Sequence, residues 1–195
     1  GGNTVDTIDF FNIDSTGDAT DFGDLTASRG ATGQGFASRT RGCIGGGYSS
    51  GDSNVIDFVT MASQGNAQNF GDLTMAGHGV SMCINDSTRG VFAGRIASPS
   101  KHNVIDYITI AQTGNAVDFG DISTEIRNAM GGSSPTRGVF AGGRSPADSD
   151  SSPSGPVNAI EYVSMQSEGS GVDFGDLTQA RYEHNPMGNA HGGLG

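Results

Sequence analysis

The stretch Thr88-Arg-Gly-Val-Phe-Ala-Gly94 decides the fold, because it belongs to a unit that recurs along the chain. Its Thr-Arg-Gly start also occurs at Thr40 and Thr136, so the spacing is 48 residues each time. A period of this length indicates a solenoid, a propeller or another repeat array. A second marker, Phe-Gly-Asp, recurs at intervals of 48, 49 and 55 residues, beginning at Phe22, Phe70, Phe119 and Phe174.

Each unit can be divided into four short strands. Residues 55–61 and 105–110 alternate in polarity and are rich in β-branched and aromatic side chains, which predicts a strand. Gly followed by Asn, Asp or Ser comes next in every unit, and this pair is the signal of a tight hairpin. The Phe-Gly-Asp strand follows, and residues 79–84 and 90–93 fit two more strands. Helical periodicity is absent, so the unit predicts a four-stranded antiparallel propeller blade.

The unit boundaries predict one domain, residues 1–195, with four blades. Residues 27–75, 76–123 and 124–178 give three complete blades, while 1–26 and 179–195 each supply half of a fourth. We therefore expect a ring that is closed by the two ends of the chain, with residues 190–195 beside residues 1–10. Closure of this kind leaves no exposed strand edge.

The arrangement resembles the kelch repeat, which implies a kelch-like β-propeller. An arginine precedes the innermost strand, a glycine pair closes the second strand, and an acidic-aromatic pair lies in the third. The chain lacks the tryptophan of that repeat, and the phenylalanine of Phe-Gly-Asp is expected to replace it, buried between blades. The matching residues are Arg29, Arg127 and Arg181; Gly46-Gly47 and Gly142-Gly143; and Asp57-Phe58, Asp106-Tyr107 and Glu161-Tyr162.

A narrower resemblance comes from the combination of Asn-Val-Ile-Asp-Tyr at Asn103, Asp-Phe-Gly-Asp at Asp118 and Thr-Arg-Gly-Val-Phe-Ala-Gly-Gly at Thr136. This combination looks like repeats in virion appendage proteins of marine bacteriophages. The resemblance implies a virion or extracellular setting and a tail-fibre-like structural protein. It carries over no catalytic residue.

Composition limits the classes of partner. Only 34% of the 195 residues are hydrophobic and 33 are glycine, which suits tight hairpins better than a helical bundle. The net charge of −11 disfavours nucleic acid and anionic membranes as partners. No stretch is long and apolar enough to insert into a membrane. The first residue is Gly1, and we expect a chain that was processed or excerpted from a longer one.

The polar residues that repeat in every unit are interpreted as structural. A guanidinium can hydrogen-bond a carboxylate and backbone carbonyls between neighbouring strands or blades. Residues that every unit keeps are those the blade needs, whereas function is expected where the units differ. The repeated residues are Arg41, Arg89 and Arg137, together with Asp57, Asp106 and Glu161.

No catalytic, metal or cofactor site is predicted. The loop around Asp148 and Asp150 is rich in oxygen ligands but lacks the closing glutamate of a calcium loop. The four histidines stand singly, without metal-ligand spacing, and the serines lack a paired histidine and acid. Cys43 and Cys83 occupy non-equivalent positions and are interpreted as unrelated buried thiols.

Ligand binding is expected in loops between the second and third strands, where the units differ. They are residues 48–53, 98–102 and 144–157, the last being an insertion for which a plain solvated linker is the alternative. Their side chains offer stacking and hydrogen bonds to a polar ligand such as a glycan. The candidates are Tyr48, Lys101, His102, Arg144, Asp148 and Asp150.

The sequence thus favours a non-enzymatic attachment or docking module. Its partner would be a surface glycan, a protein receptor or another virion protein, and homo-oligomers are possible. One alternative is a structural repeat that polymerises into a fibre. The other is a propeller-based carbohydrate-active enzyme, which would need clustered acids that the sequence does not assemble.

Overall fold

The computed structural model describes residues 4–30, 35–97, 101–123, 125–145 and 155–184, and within them it contains fourteen strands and no helix. The all-β class is therefore confirmed. Sheet 1 holds β1 (Val5–Phe10) and β2 (Thr20–Arg29). Sheet 2 holds β3 (Gly35–Ala37), β4 (Arg41–Gly45), β5 (Val55–Thr60) and β6 (Gln68–Asp72). Sheet 3 holds β7 (Met82–Asn85), β8 (Arg89–Ile96), β9 (Lys101–Thr109) and β10 (Val117–Asp121). Sheet 4 holds β11 (Met130–Ser133), β12 (Arg137–Ala141), β13 (Ala159–Ser164) and β14 (Val172–Asp176).

Sheets 2, 3 and 4 are antiparallel meanders in which each strand pairs with the next one along the chain. This is the blade-like arrangement that the four-strand unit predicts. Sheet 1 has two strands, and its second strand extends to Arg29. The expected pairing of residues 190–195 beside residues 1–10 lies outside the described residues.

A β-bulge occurs at the phenylalanine of every Phe-Gly-Asp triplet. In sheet 3, for example, Asp106 pairs with Asp118 and Ile105 pairs with Gly120, so that Phe119 is the extra residue. The same register shift recurs in the other three sheets. A bulge bends its strand and redirects the side chain, and here it sets the phenylalanine and the following glycine towards the neighbouring sheet.

The apolar core lies between consecutive sheets and is shaped by glycine. The ring of Phe36 in sheet 2 occupies the place that a Cβ would take at Gly90 of sheet 3. Ile84 of sheet 3 occupies the same place at Gly138 of sheet 4. At Gly90 and Gly138 the glycine of Thr-Arg-Gly is therefore required by the preceding sheet, which packs directly on its backbone.

Consecutive sheets are also joined through the Phe-Gly-Asp triplet, in a contact that we call the docking joint. The hairpin between the last two strands of one sheet lies on the triplet of the sheet before it. In the joint between sheets 3 and 4, Gly169 N donates to Phe119 O at 2.8 Å and Gly171 N donates to Asp121 O at 2.8 Å. Two equivalent joints have equivalent bonds, made by Gly65 and Ala67 to Phe22 and Asp24, and by Gly114 and Ala116 to Phe70 and Asp72.

The expected burial of the four triplet phenylalanines holds only in part. Phe70 and Phe119 are 3% and 2% exposed, whereas Phe22 is half-buried. The expectation is wrong for Phe174, which is 55% exposed. The reason is the missing joint: no described residue lies within 4 Å of the position that a Cβ would take at Gly175.

Candidate functional site

The repeated acids of the third strands are buried and connect neighbouring sheets. Asp57 accepts hydrogen bonds from the backbone N and Oγ1 of Thr26, at 3.1 and 2.8 Å. Thr74 bonds Asp106 in the same way, at 3.1 and 2.6 Å. Ser123 bonds Glu161 through the same two groups. Each acid therefore holds the segment that enters its own sheet from the preceding one, which is a structural role.

Two of these acids also form buried ion pairs, although their arginines come from different backbone positions. Arg29 Nη2 lies 2.6 Å from Asp57 Oδ2, and burial lowers the pKa of Arg29 although the charge of Asp57 opposes the shift. Arg95 Nη2 lies 2.6 Å from Asp106 Oδ2. Gly77 stands where Arg29 stands in the previous unit, and its missing side chain leaves room for Arg95.

The repeated arginines of the second strands bind aromatic rings and carbonyls. Arg41 Cζ lies 4.4 Å from the centroid of the Phe58 ring, and its Nη1 donates to Ile110 O of the next sheet at 2.8 Å. Arg89 lies over Tyr107 and donates to Met165 O in the same way. Arg137 lies over Tyr162, at 4.8 Å. Two of the acids that the sequence suggests as partners of these arginines, Asp57 and Asp106, are bound by Arg29 and Arg95 instead.

The units differ at one end of the sheets, in a set of paired residues that we call the rim ladder. In sheet 2, Tyr48 pairs with Gly30 on one side and with Asp52 on the other. The ladder of sheet 3 is His78, Ile96 and Lys101, and that of sheet 4 is Arg127, Arg144 and Pro156. One backbone arrangement thus presents three different sets of side chains.

Side chains of the rim meet across sheet boundaries. The rings of Tyr48 and His78 form a T-shaped pair with centroids 5.5 Å apart, and His78 Nδ1 lies 2.6 Å from Asp52 Oδ1. Two repeats later, Arg144 occupies the position of Tyr48 and Tyr182 that of His78. The guanidinium carbon of Arg144 lies 5.5 Å from the centroid of the Tyr182 ring. The same site is therefore built once from an aromatic-imidazole pair and once from a cation-aromatic pair.

The predicted ligand-binding residues have different outcomes. Tyr48 is 46% exposed and Arg144 half-buried, and both lie on the rim. The predicted boundary of the second loop is wrong, because Lys101 and His102 belong to β9. The side chains of these two residues lie outside the part of the chain that the structure describes. Asp148 and Asp150 lie outside the described residues.

Backbone strain and an unusual histidine accompany the rim. Asn128 and Glu183 have φ angles of 53° and 56°, a left-handed conformation that side chains other than glycine rarely adopt. Asn128 Nδ2 donates to Glu183 Oε1 at 3.0 Å. Burial lowers the pKa of His184, and the charge of Arg181 lowers it further. Strain of this kind is concentrated at functional positions more often than elsewhere.

Neither a metal-binding group of side chains nor a membrane-spanning helix occurs among the residues that the structure covers, and both cysteines there are buried. There, no three histidines, cysteines, aspartates or glutamates are grouped so that they could hold a metal ion. None of the described residues belongs to a helix able to span a membrane. Cys43 and Cys83 are both buried, as expected, and burial raises the pKa of Cys43 to about 11.

Sequence reasoning missed Asp52, His78 and Tyr182. The sequence shows His78 as a single histidine, yet in the structure it contacts an acid 26 positions earlier in another unit. The signal that could have found His78 and Tyr182 is their position six places after the triplet aspartate, where the units carry glycine, histidine, arginine and tyrosine. Variation at one fixed place in a repeat marks a surface that the fold does not specify.

No protein-family model matches the chain, and no curated protein matches it.

Proposed function

We propose that the chain is a non-enzymatic attachment module, built as a kelch-like propeller of four blades in a virion or extracellular setting. One observation carries the proposal: the repeated polar side chains are used within and between sheets, whereas the rim ladders differ from sheet to sheet. Tyr48, His78, Arg144 and Tyr182 offer stacking surfaces, a cation and hydrogen-bonding groups to a surface glycan or a protein receptor.

The fourth blade would form when the two ends of the array engage each other. The exposed triplet at Phe174 has the same sequence as the three that are docked, and the Gly17-Asp18 hairpin corresponds to the hairpins that dock on them. Arg181 and Asp9 stand at the positions of Arg29 and Asp57, so closure would add a third ion pair of that type.

A double-mutant cycle tests closure. Asp9→Ala, Arg181→Ala and the double variant are compared by urea unfolding, and closure predicts a coupling energy of about 0.5–3 kcal/mol between the two sites. The control is the cycle of Asp57 and Arg29, which are paired at 2.6 Å. Additive effects of Asp9→Ala and Arg181→Ala would rule out a shared blade.

The exposed triplet at Phe174 and the exposed hairpin at Gly17-Asp18 also favour a second function, a fibre in which one copy of the chain docks on the next. Heterologous contacts of this kind produce open filaments unless they close into a ring. Light scattering over a hundredfold range of concentration separates the two arrangements. A mass that stays at one chain, 19.8 kDa, supports the ring, whereas growth with concentration supports the fibre.

Attachment is tested with the rim. Arg144→Ala, alone and with residues 146–153 removed, is expected to weaken binding of the labelled protein to fixed marine bacterial cells, measured by flow cytometry, while the melting temperature stays close to that of the parent. Val117→Ala serves as the control, because Val117 is 51% exposed on the outer strand β10. Equal binding by the parent and the rim variants would place the attachment surface elsewhere.

A further inference from the structure

We propose that Tyr48, Asp52 and His78 form a subsite for an uncharged, hydroxyl-rich ligand, namely a pyranose ring of a neutral glycan. This inference rests on the proposed function, since it assigns a ligand class to one part of the rim. The three side chains come from two sheets, and they are held together by the ring contact of 5.5 Å and the hydrogen bond of 2.6 Å.

Tyr48 supplies the stacking surface. Its side chain is 46% exposed, although it is in contact with His78 and its backbone pairs with Gly30 and Asp52. A tyrosine presents a large, rigid and amphipathic surface at a low cost in conformational entropy. A partly exposed aromatic ring that its neighbours hold in place can pack against the C–H face of a sugar, while its hydroxyl group hydrogen-bonds the ring substituents.

Asp52 determines which ring nitrogen of a neutral His78 carries the proton. A carboxylate only accepts hydrogen bonds, so Nδ1 of a neutral His78 must be the donor in the bond of 2.6 Å. The lone pair is then on Nε2, which becomes an acceptor. Together with the tyrosine hydroxyl, this gives a set of groups rich in acceptors, and such a set suits a ligand that has many hydroxyl donors.

The loop that carries Tyr48 and Asp52 is fixed at both ends. Tyr48 N donates to Gly30 O at 2.8 Å, and Ser53 N donates to Gly47 O at 2.9 Å. Gly77, next to His78, is bonded to the same loop, since its N donates to Ser53 O at 2.9 Å. The subsite is therefore pre-organised, and binding would order little additional chain.

The charge of the protein favours a neutral ligand. The net charge is −11, which raises the free energy of bringing a polyanionic glycan to the surface. The equivalent pair at the other end of the described array contains Arg144 and so offers a cation, which the Tyr48 subsite does not contain. The two pairs thus differ in the ligand charge that they suit.

A microarray that carries neutral and sulfated oligosaccharides side by side tests the proposal, with dissociation constants of bound members then measured by calorimetry. We expect neutral members to bind the parent protein. Tyr48→Ala and His78→Ala should each weaken that binding at least about tenfold, which corresponds to 1.4 kcal/mol. Val117→Ala is the control, because Val117 is 51% exposed on the outer strand β10 and should leave neutral-glycan binding within about twofold. Tyr182→Ala tests the other rim pair, in which Tyr182 is 41% exposed.

Each other outcome overturns a defined statement. Binding of sulfated members alone, or of no member, overturns the neutral ligand class. Loss of neutral-glycan binding in Tyr182→Ala but not in Tyr48→Ala overturns this subsite and leaves attachment through the rim in place. Unchanged binding in all three variants, with each variant folded by circular dichroism, overturns both the subsite and the rim as the attachment surface.

Discussion

Sheets 3 and 4 have the same four-stranded pairing, yet the phenylalanine of the outer strand is buried in sheet 3 and exposed in sheet 4. Tyr107 and Phe119 form a T-shaped pair at 5.7 Å in sheet 3, and Tyr162 and Phe174 form the same pair at 6.0 Å in sheet 4. The exposures of Phe119 and Phe174 are 2% and 55%. A blade therefore positions its aromatic pair by itself, whereas burial of the phenylalanine depends on the hairpin of the next sheet.

The largest expected effect on the free energy of unfolding comes from truncating one of the two phenylalanines. Phe119→Ala empties a closed apolar site and is expected to lower the free energy of unfolding by about 3–5 kcal/mol. In an open array Phe174→Ala should cost less than half as much, because Phe174 is 55% exposed there, whereas closure of the ring would raise its cost towards that of Phe119→Ala. Urea unfolding of the two variants provides the measurement. Equal losses would mean that the joint at Phe174 is as well packed in solution as the inner joints.

Removing the buried cation of sheet 3 should have an effect of similar size. Arg95→Ala leaves Asp106 buried with only its bonds to Thr74, and breaking a buried pair in this way costs about 3–5 kcal/mol. Adding Gly77→Arg to Arg95→Gly should recover part of this loss, since it copies the arrangement of Arg29 and Gly47. Thermal unfolding that shows no recovery would mean that the two arginine positions are not interchangeable.

Alanine at the triplet glycines isolates the backbone contact of the joint. At Gly120 a Cβ would lie 2.6 Å from the carbonyl carbon of Gly169, whereas at Gly175 it would meet open space among the described residues. The φ angles are alike, 142° and 138°, so the strain on the backbone is shared. Gly120→Ala should therefore cost about 1–3 kcal/mol more than Gly175→Ala, the usual penalty of overpacking. A calorimetric difference near zero would show that the joint yields without cost.

The smallest effect is expected for the side-chain cap of the joint. Asn115 Oδ1 accepts a hydrogen bond from Asp72 N at 3.1 Å, at an exposed site. Asn115→Ala should cost about 0.5–1.5 kcal/mol, the net contribution of one hydrogen bond. Asn115→Ser is the matched control, because Ser170 makes the same contact to Asp121 in the next joint. Hydrogen exchange at the amide of Asp72 would report the loss directly.

The repeat predicted the strands because local chemistry specifies them. Alternating β-branched residues and the glycine hairpins fix each meander within one unit, and the four-stranded sheets follow from them. The contacts between units could not be predicted in the same way. That Gly169 docks on Phe119 depends on how two sheets approach each other, and the period of the sequence carries no information on that approach.

The rim was predicted only in part for the same reason. Tyr48 and Arg144 were found because the loops after the second strands differ in sequence. His78 and Tyr182 follow the triplet in other units and become partners of those residues only when the sheets pack. The ion pairs could not be predicted for a related reason. The acid keeps its place in the repeat at Asp57 and Asp106, whereas the arginine that binds it is at two different places, Arg29 and Arg95.

The two positions that share this arginine also constrain how the repeat can be recombined. The unit of residues 27–75 has Arg29 with Gly47, the unit of residues 76–123 has Gly77 with Arg95, and the unit of residues 124–178 has Ile126 with Gly143. A crossover between the first two of these units that falls between the two positions would unite Arg with Arg or Gly with Gly. The first combination crowds a buried site, because a Cβ at Gly77 would lie 3.1 Å from Cδ of Arg95, and the second leaves a buried acid without its cation. Duplication or exchange of these repeats is therefore expected to proceed by whole units, with breakpoints outside the interval from the first position to the second.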